Sequence, residues 1–131
     1  MTEVAGLPPG MTVELSRATV LPGKSDEADR WMSMLRARHA ECVATLDRER
    51  MAVEAVFRSR ADDGTEYLWW FSLRGSDGAT LDSSPFAIDA DHEAQARRTK
   101  EPGWLEAEPQ VVFLPPPVRA AVETWAVREH P

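Results

Sequence analysis

The sequence predicts an α+β domain: a four-stranded antiparallel sheet with two helices on one face and a short terminal helix. Three observations predict it. Residues 51–74 read as a β-hairpin, two alternating strands joined at Asp62-Asp63-Gly64. A stretch with helical spacing precedes this hairpin and a second follows it. One strand-like run lies before the first helix and one after the second, which gives the order strand, helix, strand, strand, helix, strand, helix.

Each element has its own justification. Residues 1–11 contain Gly6, Pro8, Pro9 and Gly10 and read as a flexible tail. In the first strand, Thr12 to Val20, Val13, Leu15 and Arg17 share one face while Glu14, Ser16 and Ala18 share the other. Pro22-Gly23 ends it. Ser25 then reads as a helix N-cap, with Asp26, Glu27 and Asp29 in the first turn, where the helix dipole favours acids. The helix is expected to run to about Glu49, with Ala28, Trp31, Met32, Leu35, Cys42, Val43 and Leu46 on its apolar stripe and His39 among them. There His39 reads as a core-edge histidine, and Cys42 as a small buried hydrophobe rather than a nucleophile.

The hairpin strands are Met51–Arg60 and Thr65–Arg74. Neighbouring residues on a strand point to opposite faces, so Trp69 and Trp70 must separate. Trp69 belongs to the fully apolar set with Val53, Ala55, Phe57, Tyr67, Phe71 and Leu73, and is expected to pack under the helices. Trp70 then lies on a mixed, helix-free face with Leu68, Ser72, Glu54 and Arg58. Residues 75–84 read as a loop. Asp89 reads as the cap of a second helix, Ala90 to Lys100, placing His92 in its first turn, where the positive helix end favours the neutral imidazole. Glu108 to Leu114 reads as the fourth strand, ended by Pro115-Pro116-Pro117. Val118, Ala121, Val122 and Trp125 form one face of the terminal helix. The expected organisation is a tail (1–11), a ferredoxin-like domain (12–114) and a proline turn with a helix (115–131). A half-apolar sheet face is costly to leave bare, and two such sheets facing each other would close a dimeric barrel.

Composition narrows the function classes. A chain of 131 residues is one domain with a real core. Its formal net charge of −7 gives no electrostatic footprint for nucleic acid or an anionic membrane surface. No apolar run has membrane length and no signal peptide is visible, so cytoplasmic residence is the expectation. Cys42 is the one cysteine, which rules out an internal disulfide and a cysteine-based zinc cluster. No glycine-rich phosphate loop, nucleophile elbow or paired-histidine metal motif is present, so no cofactor and no metal is expected. Lysine occurs only at positions 24 and 100 among 15 basic residues, a bias suggestive of a GC-rich bacterial genome.

Several segments together resemble an uncharacterised bacterial family within the dimeric α/β-barrel superfamily. They are Glu14-Leu15-Ser16-Arg17-Ala18, Pro22-Gly23-Lys24, Trp31-Met32 with Leu35, Thr45-Leu46, Glu49, Met51, Val53-Glu54, Glu66 to Trp70, Ile88-Asp89 with His92, and Pro109 to Pro115. The resemblance spans Thr12 to Arg119 and implies the ferredoxin-like fold and a homodimer. Members of that family tend to carry a second histidine just before the Ile-Asp pair, where this chain has Phe86. The superfamily comprises small cofactor-independent enzymes and binders, with their sites on the sheet face inside the barrel.

The functional expectation is therefore a cofactor-independent isomerase or cyclase that moves protons on a small organic metabolite. His92, Glu54 and Arg58 are the expected catalytic set: His92 or a carboxylate as base, and Arg58 steadying an enolate or carboxylate. Glu14, Trp70, Ser72 and Leu68 are expected around the ligand, with Trp70 as a stacking wall. The alternative is a non-catalytic dimer that binds a ligand or simply assembles, in which Trp70 packs the interface and Glu54 pairs with Arg58. A metal site of Glu14, Glu54 and His92 has no supporting spacing.

Overall fold

A computed structural model describes residues 4–75 and 84–127. Eight elements follow in order: β1 (Met11–Thr19), α1 (Ser25–Ala37), α2 (His39–Leu46), β2 (Met51–Arg60), β3 (Glu66–Gly75), α3 (Ala87–Thr99), β4 (Leu105–Glu106) and α4 (Pro116–Val127). The four strands form one antiparallel sheet in the order β2-β3-β1-β4. The fold is α+β, as expected. The hairpin turn also falls where expected: Gly64 takes φ +88°, a conformation glycine adopts at no steric cost, and Asp63 accepts the Thr65 N–H at 2.9 Å.

The helices and the two sheet faces are paired the other way round from the sequence expectation. Ala18, Val20 and Leu68 form the buried core with Ala28, Trp31 and Met32 of α1, and Val56, Trp70 and Ala96 pack against it. The Trp31 and Trp70 ring centroids are 5.0 Å apart. Trp70 thus lies beneath the helices, and Trp69 is on the opposite face, where its Nε1–H donates to Ser59 Oγ at 2.6 Å. The reason is shape. The helix-side row sets Trp70 between Ser16 of β1 and Val56 of β2, and Leu68 beside Ala18. Small neighbours leave room for the Trp31 indole, which is fully buried. Of the polar members of that row, Ser16 pairs with Glu106, Glu14 with Arg74 and Arg58 with Glu66.

The opposite face is apolar and only partly covered. α4 closes one end, where Val122 packs on Met11 and Leu73. Farther along, Phe57 is 57% exposed, and the Arg17 guanidinium lies 4.3 Å from the Tyr67 ring centroid.

Three element boundaries also differ. The long helix breaks at Arg38 (φ −106°, ψ 34°), giving α1 and α2. No proline or glycine lies there; the Arg38 side chain instead grips Glu41 of α2 and Asp91 of α3. Ser25 is the first residue of α1 rather than its cap, and its hydroxyl donates to Glu66 Oε1 at 2.6 Å. The fourth strand is Leu105–Glu106 opposite Ser16 and Arg17, not 108–114. After the Ala107 N–H donates to Leu15 O, the chain leaves the sheet edge at Pro109, which has no N–H for the ladder.

Within the stretch read as a tail, residues 4–10 are tied down. Ala5 bridges Val111 in parallel, the Val112 N–H donates to Ala5 O at 2.8 Å, and Pro8 is fully buried. Gly6 has φ +83°, and a Cβ there would stand 1.9 Å from Val112 O. The expected loop at 75–84 lies mostly outside the described residues. Among the described residues, no helix is long and apolar enough to cross a membrane.

Candidate functional site

Together with the sheet and α3, α2, which follows the break at Arg38, borders a cleft. Its volume is about 220 Å³. α2 contributes His39, Cys42, Val43, Thr45 and Leu46, and Glu49 follows on the connection to β2. Glu54 and Val56 come from β2, Trp70 from β3, Leu35 from α1, and Ile88, Asp89 and His92 from α3. Most of the exposed wall is apolar, and His39, Thr45, Glu49, Glu54, Asp89 and His92 set polar groups into it.

Three carboxyl groups therefore face one cleft from three segments. Burial pushes the Glu54 carboxyl up to about 7, and the Glu49 and Asp89 carboxylates add to the shift. Solvent still reaches Glu54 at the cleft mouth, so it can exchange protons with water. Burial raises Glu49 too. Burial, and secondarily the Glu54 charge, raises the Cys42 thiol, which stays protonated and is a poor nucleophile. Burial lowers the His92 imidazole, and the Asp89 carboxylate opposes this without reversing it. His92 Nδ1 accepts the Trp31 Nε1–H at 2.7 Å. Among the described residues, no lysine or arginine lines the cleft.

Of the seven residues expected from sequence, Glu54, Trp70 and His92 meet in this cleft. The other four do not. Arg58 is a structural clamp: its Nε donates to Glu66 Oε2 at 2.5 Å and its Nη1 to Asp29 Oδ1 at 2.5 Å, tying the start of α1 to the sheet. It pairs with neither a ligand site nor Glu54. Glu14 is held by Arg74. Ser72 is buried in the row between Glu14 and Glu54, and Leu68 is fully buried core. The cleft also lies on the helix side of the sheet rather than the helix-free side. α3 begins at Ala87, so Asp89 is inside its first turn, accepting the Ser84 hydroxyl, and His92 is in the second turn. Neutrality of His92 therefore comes from burial, not from the helix end.

Sequence reasoning assigned Asp89 to capping, His39 and Cys42 to the core, and Glu49 to no role. One signal pointed to the cleft. Leu35, Thr45, Leu46, Glu49, Ile88 and Asp89, which line it, are among the residues that carry the family resemblance. Among the described residues, no group of three or more His, Cys, Asp or Glu converges closely enough to hold a metal ion.

The sequence profile of a family of unknown function, DUF6176, matches residues 11–120. No curated protein and no solved structure matches the chain.

Proposed function

The chain belongs to the DUF6176 family of unknown function, and for this member we propose cofactor-independent proton transfer on a small organic ligand held in the α2–β2–α3 cleft. The observation that carries the reading is Glu54: a carboxyl raised to about 7, facing an apolar cleft that also holds a neutral histidine. A base is most effective when its pKa lies near the working pH, and a carboxylate raised this far is a stronger base than an ordinary one. Glu54 takes a proton from carbon, and its charge passes to the ligand, so the net charge of the cleft stays constant. Glu54 then returns the proton to another atom of the same ligand. Trp70 forms part of the wall. With three carboxyl groups and no lysine or arginine in the lining, the ligand is uncharged or cationic rather than an acid anion. This replaces the role first expected of Arg58.

Proton transfer of this kind leaves deuterium in the ligand when run in D₂O. The test is a panel of small uncharged carbonyl compounds incubated with the protein and followed by proton NMR. Exchange that disappears in Glu54→Gln supports the reading. Ligands that bind in the cleft without exchange, equally to both proteins, overturn it.

A second reading, a dimeric binding or assembly protein, is favoured by a different observation. The face opposite the helices exposes Phe57 (57%), Leu105 (58%) and Val53 (43%). We read the sheet as a variant of the ferredoxin-like plan, with a split first helix and a fourth strand cut to two residues, pairing through that face with a second copy. Support comes from the β2-β3-β1-β4 order and the apolar surface. Sedimentation of the wild type against Phe57→Glu tests it: a dimer that the charge dissociates is the expected result, and a wild-type monomer refutes it.

A further inference from the structure

The hydrogen bond between Trp31 and His92 has a consequence for what the cleft can do. An indole N–H only donates. Its partner, His92 Nδ1, 2.7 Å away, must therefore offer a lone pair. A neutral imidazole carries one N–H and one lone pair, so with Nδ1 accepting, the proton sits on Nε2. An imidazolium would set two N–H groups head to head. We infer that Trp31 is a positioning residue that locks His92 as the neutral Nε2–H tautomer, so that the ring serves the cleft as a hydrogen-bond donor and not as a base.

The surroundings support the lock. Trp31 is fully buried and its ring packs on Trp70, leaving the indole little freedom to turn away. The His92 ring centroid lies 5.2 Å from that of Trp31 and 5.5 Å from that of Trp70, so both indoles fix the imidazole plane. The groups that would favour a charged ring are Asp89 on the same helix, Glu54 on β2 and Glu49 before it. The nearby cation Arg38, at the α1–α2 junction, is occupied by Glu41 and Asp91. Burial wins over these charges and keeps the ring neutral. The same lock sets the ligand's chemistry at that point: it must present an acceptor such as a carbonyl or hydroxyl oxygen. This last step rests on the proton-transfer reading, in which His92 Nε2–H steadies the oxygen as charge develops there and Glu54 is left as the base. The lock itself stands without it.

The test uses the ligand-free, full-length protein with ¹⁵N-labelled imidazole and indole groups. His92→Gln identifies the His92 signals. At neutral pH, His92 Nδ1 is expected in the unprotonated range and Nε2 in the N–H range. A scalar coupling across the hydrogen bond between Trp31 Nε1 and His92 Nδ1 should be visible. In Trp31→Phe, which keeps a ring and loses the N–H, the two imidazole shifts should move toward tautomer averaging. A protonated Nδ1 in the wild type, averaged tautomers, or no coupling overturns the inference. The coupling decides the matter even if Trp31→Phe does not fold. Proton-transfer activity is scored separately by deuterium exchange, so a locked histidine in an inactive protein refutes only the function.

Discussion

Glu54→Gln should leave the stability of the protein nearly unchanged at pH 4.5 and increase it above neutrality. The Glu54 carboxyl has an ordinary value of 4.5 and is raised to about 7 in the fold. Between those values the folded chain holds a proton that the unfolded chain has released. Stability therefore falls as pH rises through that window, and the loss is complete above about 7. The full gap corresponds to a ceiling of roughly 3 kcal/mol at about 1.4 kcal/mol per pH unit. Glu54 is exposed to solvent, and screening there reduces the expected gain to about 0.5–1 kcal/mol. A glutamine carries no charge at any pH and removes the cost. It also relieves Glu49, whose charge adds to the shift. The assay is urea denaturation of both proteins at half-unit steps from pH 4.5 to 8. The difference in midpoint multiplied by the slope gives the free-energy difference at each step. A difference that does not change with pH, or a variant less stable than the wild type above pH 7, refutes the reasoning.

Other outcomes follow from the packing. Leu68→Ala empties a fully buried position under Trp31 and should cost about 2–5 kcal/mol in the same denaturation assay. Arg58→Ala should lower stability by about 1–3 kcal/mol, because Glu66 (7% exposed) loses its strongest partner, while ligand binding in the cleft stays intact. A loss of binding with no loss of stability would return Arg58 to the site. Gly6→Ala should destabilise by about 1–3 kcal/mol, since positive φ and the Val112 carbonyl both resist a Cβ. An unchanged thermal midpoint would mean the 4–10 segment does not hold the fold.

Much of the architecture was legible because it rests on local rules. The alternation in 51–74, the turn at Asp62-Asp63-Gly64 and the Ala28, Trp31, Met32 spacing each dictate an element without help from the rest of the chain. The pairing of faces was not. Alternation sorts residues into two sets but does not say which set the helices cover. The set with more hydrophobic residues looked like the core, yet volume decided: Ser16 and Ala18 leave room for Trp31, and the Phe57, Trp69, Phe71 row does not receive α1 or α3. The cleft was half legible. Glu54, Trp70 and His92 stood out by type and position, whereas Asp89 had been assigned to capping and Glu49 joins them at the end of α2, after a break at Arg38 that nothing local predicts. Arg58 lies outside the cleft, held by Glu66 eight residues on and by Asp29 and Ser25 about 30 residues away, and that convergence cannot be read from local spacing.

The bridge between Ala5 and Val111, with Arg119 Nη1 donating to Gly6 O at 2.9 Å, joins the two ends of the domain. It fixes an order of events on the ribosome. β1 is made early, but its first partner in the sheet, β3, is synthesised more than fifty residues later, and the segment that secures residues 4–7 comes later still. The hairpin of β2 and β3 can close on its own as soon as it emerges, whereas β1 waits. Until Val122 is released to pack on Met11 and Leu73, the apolar end of the sheet is open to other chains. A stalled or truncated product ending before α4 would therefore expose that end permanently, and quality control would meet it as an aggregating fragment rather than as a shortened domain.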